Sequence, residues 1–182
     1  MLIRLAKSTD AGAIAEIHVT TWQAAYRGQI PDSVLDVLDI STRAAFWREA
    51  LSVPHNIFVV ELSSVTVGFC SLSPSRDDDA DKATVAEIAA LYVSSRHWRC
   101  GIGRQLCSFA FEAALGVGFR SITLWVLSTN SHAISFYESL HFRRDGSAKS
   151  EQTPDGVTLR ELRMRRQLEL DLGYRFVIGD QE

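Results

Sequence analysis

Two glycines, Gly101 and Gly103, stand between Arg99 and Arg104 where a β-rich run gives way to a helical pattern. Glycine lets the backbone turn tightly and lets an anion approach main-chain N–H groups. The first turn of the following helix adds unpaired donors and a partial positive charge, so the natural guest is a phosphate or diphosphate. Downstream, Ser121–Leu127 reads as a buried strand that stops at Asn130 and hands over to a short helix carrying Phe136 and Tyr137 side by side. A phosphate turn followed by a phenol describes a site for a long phosphorylated cofactor with a proton-bearing group near its reactive end. Upstream, Glu87 is the one acidic residue in the apolar run 83–93, where burial is expected to raise a carboxyl pKa toward values useful to a base. A buried carboxylate paired with an arginine is the alternative.

The turn alone is compatible with several readings, a plain tight turn among them. A dinucleotide fold calls for G-x-G-x-x-G, but Leu106 occupies the last position. A P-loop calls for Gly-Lys-Ser/Thr, which is absent. A coenzyme A diphosphate site agrees best with the neighbouring segments.

These elements need a scaffold. Leu2–Ala6 reads as a first strand, and Ala13, Ile14, Ile17, His18 and Thr21 follow helical spacing toward Gly28 and Pro31. A second helical stretch covers Val34–Leu38 and continues from Ser41 to Ala50. Asn56–Glu61 and Val65–Leu72 form a hairpin pattern, and the acid-rich loop 73–82 leads into strand 83–93, which reads as buried on both faces. Ile102, Leu106, Phe109, Ala110, Ala113 and Val117 mark an amphipathic helix. Ala133–Leu140 is a short helix, and Phe142–Asp145 with Val157–Met164 a closing antiparallel pair. The order β-α-α-β-β-β-α-β-α-β-β predicts an α/β fold: a mixed sheet with helices on both faces and one β-α-β crossover.

Composition narrows the function classes. A net charge of −3 speaks against a general nucleic-acid or membrane-surface binder, so an anionic ligand must be held locally. Three cysteines without a C-x-x-C pair predict free thiols in a reducing compartment, and with no secretory pattern at the start the expectation is a cytoplasmic protein. The five histidines show no ligand-type spacing, so no metal is expected.

W-R-C-G-I-G at 98–103 and N-S-H-A-I-S-F-Y-E-S-L-H-F at 130–142, with E-I-A-A-L-Y-V at 87–93, resemble the GNAT N-acetyltransferase superfamily. The likeness spans about residues 2–165. Trp98 departs from the usual Gln or Arg, and His141 from the usual Gly. If position 141 needs a positive φ, His is among the tolerant non-glycine residues.

The resemblance implies a GNAT-like domain over residues 1–166, with 167–182 a tail, an extra strand or a dimer contact. It implies acetyl-CoA as cosubstrate, its diphosphate on residues 98–104 (Trp98, Arg99, Cys100, Gly101, Ile102, Gly103, Arg104). The pantetheine arm would pair like an extra strand with Leu91, Tyr92 and Val93, where 86–93 and 121–127 splay apart. Asn130, Ala133 and Phe136 would complete the cofactor wall. Tyr137 matches the family's general acid: a phenol with pKa about 10 stays protonated near neutrality and can protonate a leaving thiolate, whose thiol has pKa about 8.5. Glu87 is the candidate base for an amine whose neutral form costs about 4–5 kcal/mol at neutral pH. Trp22 and Tyr26, four residues apart on the first helix, would border a cationic amine acceptor; packing on the sheet is the competing role. The Asp77–Asp81 cluster reads as a solvated loop rather than a substrate magnet. The function implied is transfer of an acetyl group to a primary amine of a small molecule or peptide by direct attack. A non-catalytic acyl-CoA sensor is the alternative, and a homodimer fits the family.

Overall fold

The computed structural model describes residues 1–153 and 156–169. Seven strands form one sheet: β1 (Leu2–Leu5), β2 (Asn56–Leu62), β3 (Val65–Pro74), β4 (Val85–Val93), β5 (Ser121–Leu127), β6 (Arg143–Gln152) and β7 (Thr158–Gln167). Their order is β1-β2-β3-β4-β5-β7-β6, antiparallel except for β4 beside β5. The helices are α1 (Ala11–Tyr26), α2 (Asp32–Asp36), α3 (Ile40–Ala50), α4 (Ile102–Val117) and α5 (Ser131–Glu138). The mixed sheet with one crossover, β4-α4-β5, is as expected. Two details differ. The stretch read as one interrupted helix is two, because Asp39 leaves helical geometry and caps α3 by accepting from the Thr42 N–H at 2.6 Å. And β7 inserts between β5 and β6, so the closing hairpin meets the sheet through its second strand.

Alternation along the strands builds two cores. Phe58 and Val60 of β2 pack with Cys70, Leu72 and the apolar stripe of α4 on one face, while Ile57, Val59 and Phe69 pack against α1 and Trp47 of α3 on the other. The first core extends under α5 through Ile134 and Phe142. Gln167 still pairs with Ser121, and Leu168 is buried, so the packed unit runs two residues past the expected boundary at 166. The tail proposed for 167–182 otherwise falls, from residue 170 on, outside the described residues.

Strand β4 was expected to be covered on both faces throughout. Instead, its burial stops at Ile88, and Ala89 is exposed. Pairing with β5 ends at Glu87–Thr123, and on the β3 side the register jumps from Ile88–Leu72 to Ala90–Ser71, leaving Ala89 as the extra residue of a β-bulge. The bulge resets parity. Glu87, Ala90 and Tyr92 all lie opposite odd-numbered residues of β3 (Ser73, Ser71, Phe69), on the α1 face, whereas Ile88, Leu91 and Val93 pack toward α4.

Gly68 fixes how β3 meets the end of β4. A Cβ there would lie 2.9 Å from the Tyr92 carbonyl oxygen and 3.1 Å from Val60, and the backbone oxygen has no room to yield. Gly68→Ala is expected to destabilise the fold by about 1–3 kcal/mol. That corresponds to a thermal midpoint lower by roughly 2–12 °C; an unchanged midpoint would show the strands are free to adjust.

Candidate active site

A cleft of about 950 Å³ opens where β4 and β5 part, walled by α1, the loop before α4 and the start of α5. At one mouth of the cleft, Arg99 (φ +60°) and Gly101 (φ +80°) both adopt left-handed backbone, and Gly101 is the N-cap of α4. The first helical bond runs from the Gln105 N–H to the Gly101 carbonyl, so the preceding amides have no intrahelical partner. Arg99 and Cys100 are exposed, and Ile102 is buried beneath the turn. The two glycines have different tasks. Gly101 supplies conformation with open space around it, whereas a Cβ on Gly103 would sit 3.2 Å from Phe136, so Gly103 lets α5 close against α4. Arg104 bridges the same two helices through Ser139 at 3.0 Å rather than standing free for an anion.

Trp98 has a role that the sequence did not signal. Its indole N–H donates to the Val93 carbonyl at 2.7 Å, and the Thr21 hydroxyl reaches the same oxygen at 3.3 Å. The end of β4 is thereby tied to α1 and to the turn before α4, and the Val93 carbonyl already accepts two hydrogen bonds.

Asn130 caps α5, its Oδ1 accepting from the Ala133 N–H at 3.0 Å, while its Nδ2 makes a long contact of 3.5 Å to the Tyr26 hydroxyl. Tyr137 lies two turns on, half-buried, its ring 5.2 Å from Phe136 and 5.7 Å from Phe142. Its hydroxyl has no hydrogen-bond partner among the described residues, and burial pushes the phenol pKa well above its ordinary value. The helix ends in a Schellman motif: Phe142 N–H bonds the Tyr137 carbonyl at 3.1 Å, His141 N–H bonds Glu138 at 3.0 Å, and His141 takes φ +64°. The substitution of His for the usual glycine therefore occupies a left-handed position, and the motif fixes Tyr137 against Phe142.

Glu87 is 2% exposed and is not an isolated carboxylate. Arg76, from the β3–β4 loop, donates to it with its backbone N–H at 3.0 Å, Nε at 3.2 Å and Nη2 at 2.5 Å. The acid-rich loop is solvated as expected at Asp78, Asp79 and Asp81, but Asp77 is partly buried, and Asp77 and Asp79 grip Arg163, which is 4% exposed. Arg76, Trp125 and Lys149, the last with its ammonium 4.3 Å above the Trp125 ring, also line the cleft and were not singled out from sequence. The only signal for Arg76 was its position as the sole cation in the run 73–81.

Trp22 and Tyr26 both face the cleft, edge to face at 5.2 Å. They also pack: Trp22 Nε1 donates to the Tyr92 hydroxyl at 2.7 Å, and both rings cover Ile30, Leu35 and Leu127. His18 stacks on Tyr92 at 4.7 Å and accepts from Trp47 Nε1 at 3.2 Å through Nδ1. Burial, with a smaller contribution from Arg43, pushes its pKa down to about 4. The unfolded chain takes up that proton from pH about 6.5 and the folded chain only near 4, so stability should fall as pH drops through this window, by up to about 3 kcal/mol. Urea midpoints at pH 7 and 4.5 should show the loss, and His18→Gln should flatten it; a variant equally acid-sensitive would assign the loss to other groups.

Residues 14–142 match the sequence model of the Acetyltransferase (GNAT) family. The chain belongs to that family. An uncharacterized N-acetyltransferase of Bacillus subtilis, YuaI, is 30% identical over 161 residues, covering 88% of this chain and 89% of the relative. The L-amino acid N-acyltransferase MnaT of Escherichia coli is 28% identical, covering 78% of this chain and 79% of its own. Among solved structures, the acetyltransferase yncA of Salmonella typhimurium, determined with acetyl-CoA, superposes with a TM-score of 0.70 at 26% identity, covering 97% of this chain and 98% of that one. The GNAT protein is therefore an acetyl-CoA-dependent N-acetyltransferase. Its residues fit that cosubstrate: an αL turn at a helix N-terminus for the diphosphate, and a strand edge left unpaired beyond Glu87 for an extended arm. Among the described residues no group of three or more His, Cys, Asp or Glu is placed to hold a metal, and no helix is long and apolar enough to cross a membrane.

Proposed function

We propose that this GNAT enzyme acetylates a primary amine of a small molecule or peptide by direct attack, with Glu87 as base and Tyr137 as acid. The observation that carries the reading is the end of β4–β5 pairing at Glu87–Thr123, in the same cleft that holds the unpartnered Tyr137 hydroxyl. Acetyl-CoA supplies a thioester as the electrophile. The amides of residues 98–104, with the start of α4, hold its diphosphate; the main chain of Leu91 and Tyr92 aligns the arm; Asn130, Ala133 and Phe136 wall it. Trp22 and Tyr26 border the amine. Glu87 takes the amine proton through a water, which Ser73 helps to hold: it is the register partner of Glu87, and its buried hydroxyl has no other partner among the described residues. Tyr137 gives its proton to the departing sulfur, and burial supports this role by keeping the phenol protonated. Two relatives are named for their acceptors, L-amino acids and phosphinothricin, which supports a small-molecule amine here. A cytoplasmic location and a homodimer belong to the same proposal. Thiol release from acetyl-CoA across a panel of amines, amino acids and peptides tests it: turnover with at least one primary amine is expected, and release indifferent to every amine sinks it.

A further inference from the structure

We propose that Arg163 is a positioning residue that sets the place of Glu87 through Asp77 and Arg76. The inference rests on Glu87 being the base. Arg163 sits on β7, buried, and all five of its guanidinium N–H groups are used. Nη1 reaches Asp77 at 3.0 Å and Asp79 at 2.6 Å; Nη2 reaches Asp79 at 2.6 Å and Ser147 at 2.8 Å; Nε reaches Asp145 at 2.7 Å. Two of these partners belong to the β3–β4 loop. The other two belong to the stretch of β6 where its register with β7 breaks between Arg144 and Ala148.

The loop is thus pinned at one residue by two strands. Asp77 also accepts from the Trp125 indole N–H of β5 at 3.1 Å. Its neighbour Ser75 is tied to β4 through the Val85 carbonyl at 2.9 Å. Between these anchors lies Arg76, whose three bonds to Glu87 include one from its own main chain. A shift of the loop would move all three donors together, and the carboxylate with them. A buried ion network of this kind contributes little net stability compared with apolar packing, so its value lies in geometry. That geometry is sensitive, since a displacement of about 1 Å can cost about a hundredfold in rate.

A double-mutant cycle tests the relay. Asp77→Asn removes one arm of the Arg163 clamp and leaves Arg76 and Glu87 chemically intact. In the otherwise native enzyme it should lower kcat by about tenfold, with KM for acetyl-CoA changing less than twofold. In a Glu87→Gln background it should cause no further fall, because the group it positions no longer acts. Arg163→Lys, which keeps charge but loses the fork, should behave in the same way. Should Asp77→Asn lower the thermal midpoint enough to obscure the rates, Arg163→Lys takes its place in the cycle. No effect in the native background, or an equal fall in both backgrounds, overturns the relay. Glu87→Gln running at the native rate instead removes the base assignment itself, a separate failure.

Discussion

Tyr137→Phe should lower kcat at least tenfold while leaving the affinity for acetyl-CoA within twofold. The argument begins with what the hydroxyl does not do. It bonds no described group, so its loss leaves no buried partner stranded, and the ring keeps its contacts with Phe136 and Phe142. The Schellman motif that fixes α5 uses the Tyr137 carbonyl, which the variant retains. What remains to be lost is a proton for the departing sulfur. A thiol pKa of about 8.5 makes unprotonated departure tolerable, so the cost should be tens of fold rather than the thousands seen where an alkoxide leaves. Steady-state kinetics with calorimetry of acetyl-CoA binding separates the effects. Native turnover in the variant removes Tyr137 as the acid; loss of cofactor affinity instead makes it a wall of the arm.

What was legible from sequence follows from where the information sits. The phosphate turn, the αL need at His141 and the Asn130 cap are local, set by residues within one turn of each other, and each has its expected backbone geometry. The crossover β4-α4-β5 followed from the periodicity of α4. The bulge at Ala89 was not legible, because an apolar run of Ala and Leu looks alike with or without an extra residue. Yet that bulge decides which face Glu87 shares with Tyr92. Nor could the sequence pair Arg76 with Glu87, or Arg163 with Asp77 and Asp79, contacts separated by 11, 86 and 84 residues. Charge clusters look solvated until the strand order brings their counter-ion beneath them, and here the insertion of β7 beside β5 does so. Trp98 stands where the family usually has Gln or Arg, which removes one polar side chain from the turn. Its indole N–H restores a polar contact, toward the strand rather than the ligand.

The Glu87→Gln variant should discriminate among acceptors by their basicity. Glutamine fills the same volume and keeps one oxygen to accept from Arg76, but it cannot take a proton. The native enzyme can then use the abundant ammonium form, shedding its proton in the cleft, whereas the variant must wait for amine that is already neutral. For an alkyl amine with pKa about 10.4, that form is about one molecule in 2,500 at pH 7; for an α-amino group near 7.7–8.0 it is about one in ten. Losses in kcat/KM should therefore approach a thousandfold for the first class and stay near tenfold for the second. Raising the pH should restore the variant's rate about tenfold per unit until the acceptor's own pKa is passed. The same pair of acceptors, assayed from pH 7 to 9.5, decides the matter. A uniform loss for both classes, with no recovery at high pH, would mean that Glu87 serves through the loop it anchors and that the proton leaves by another route.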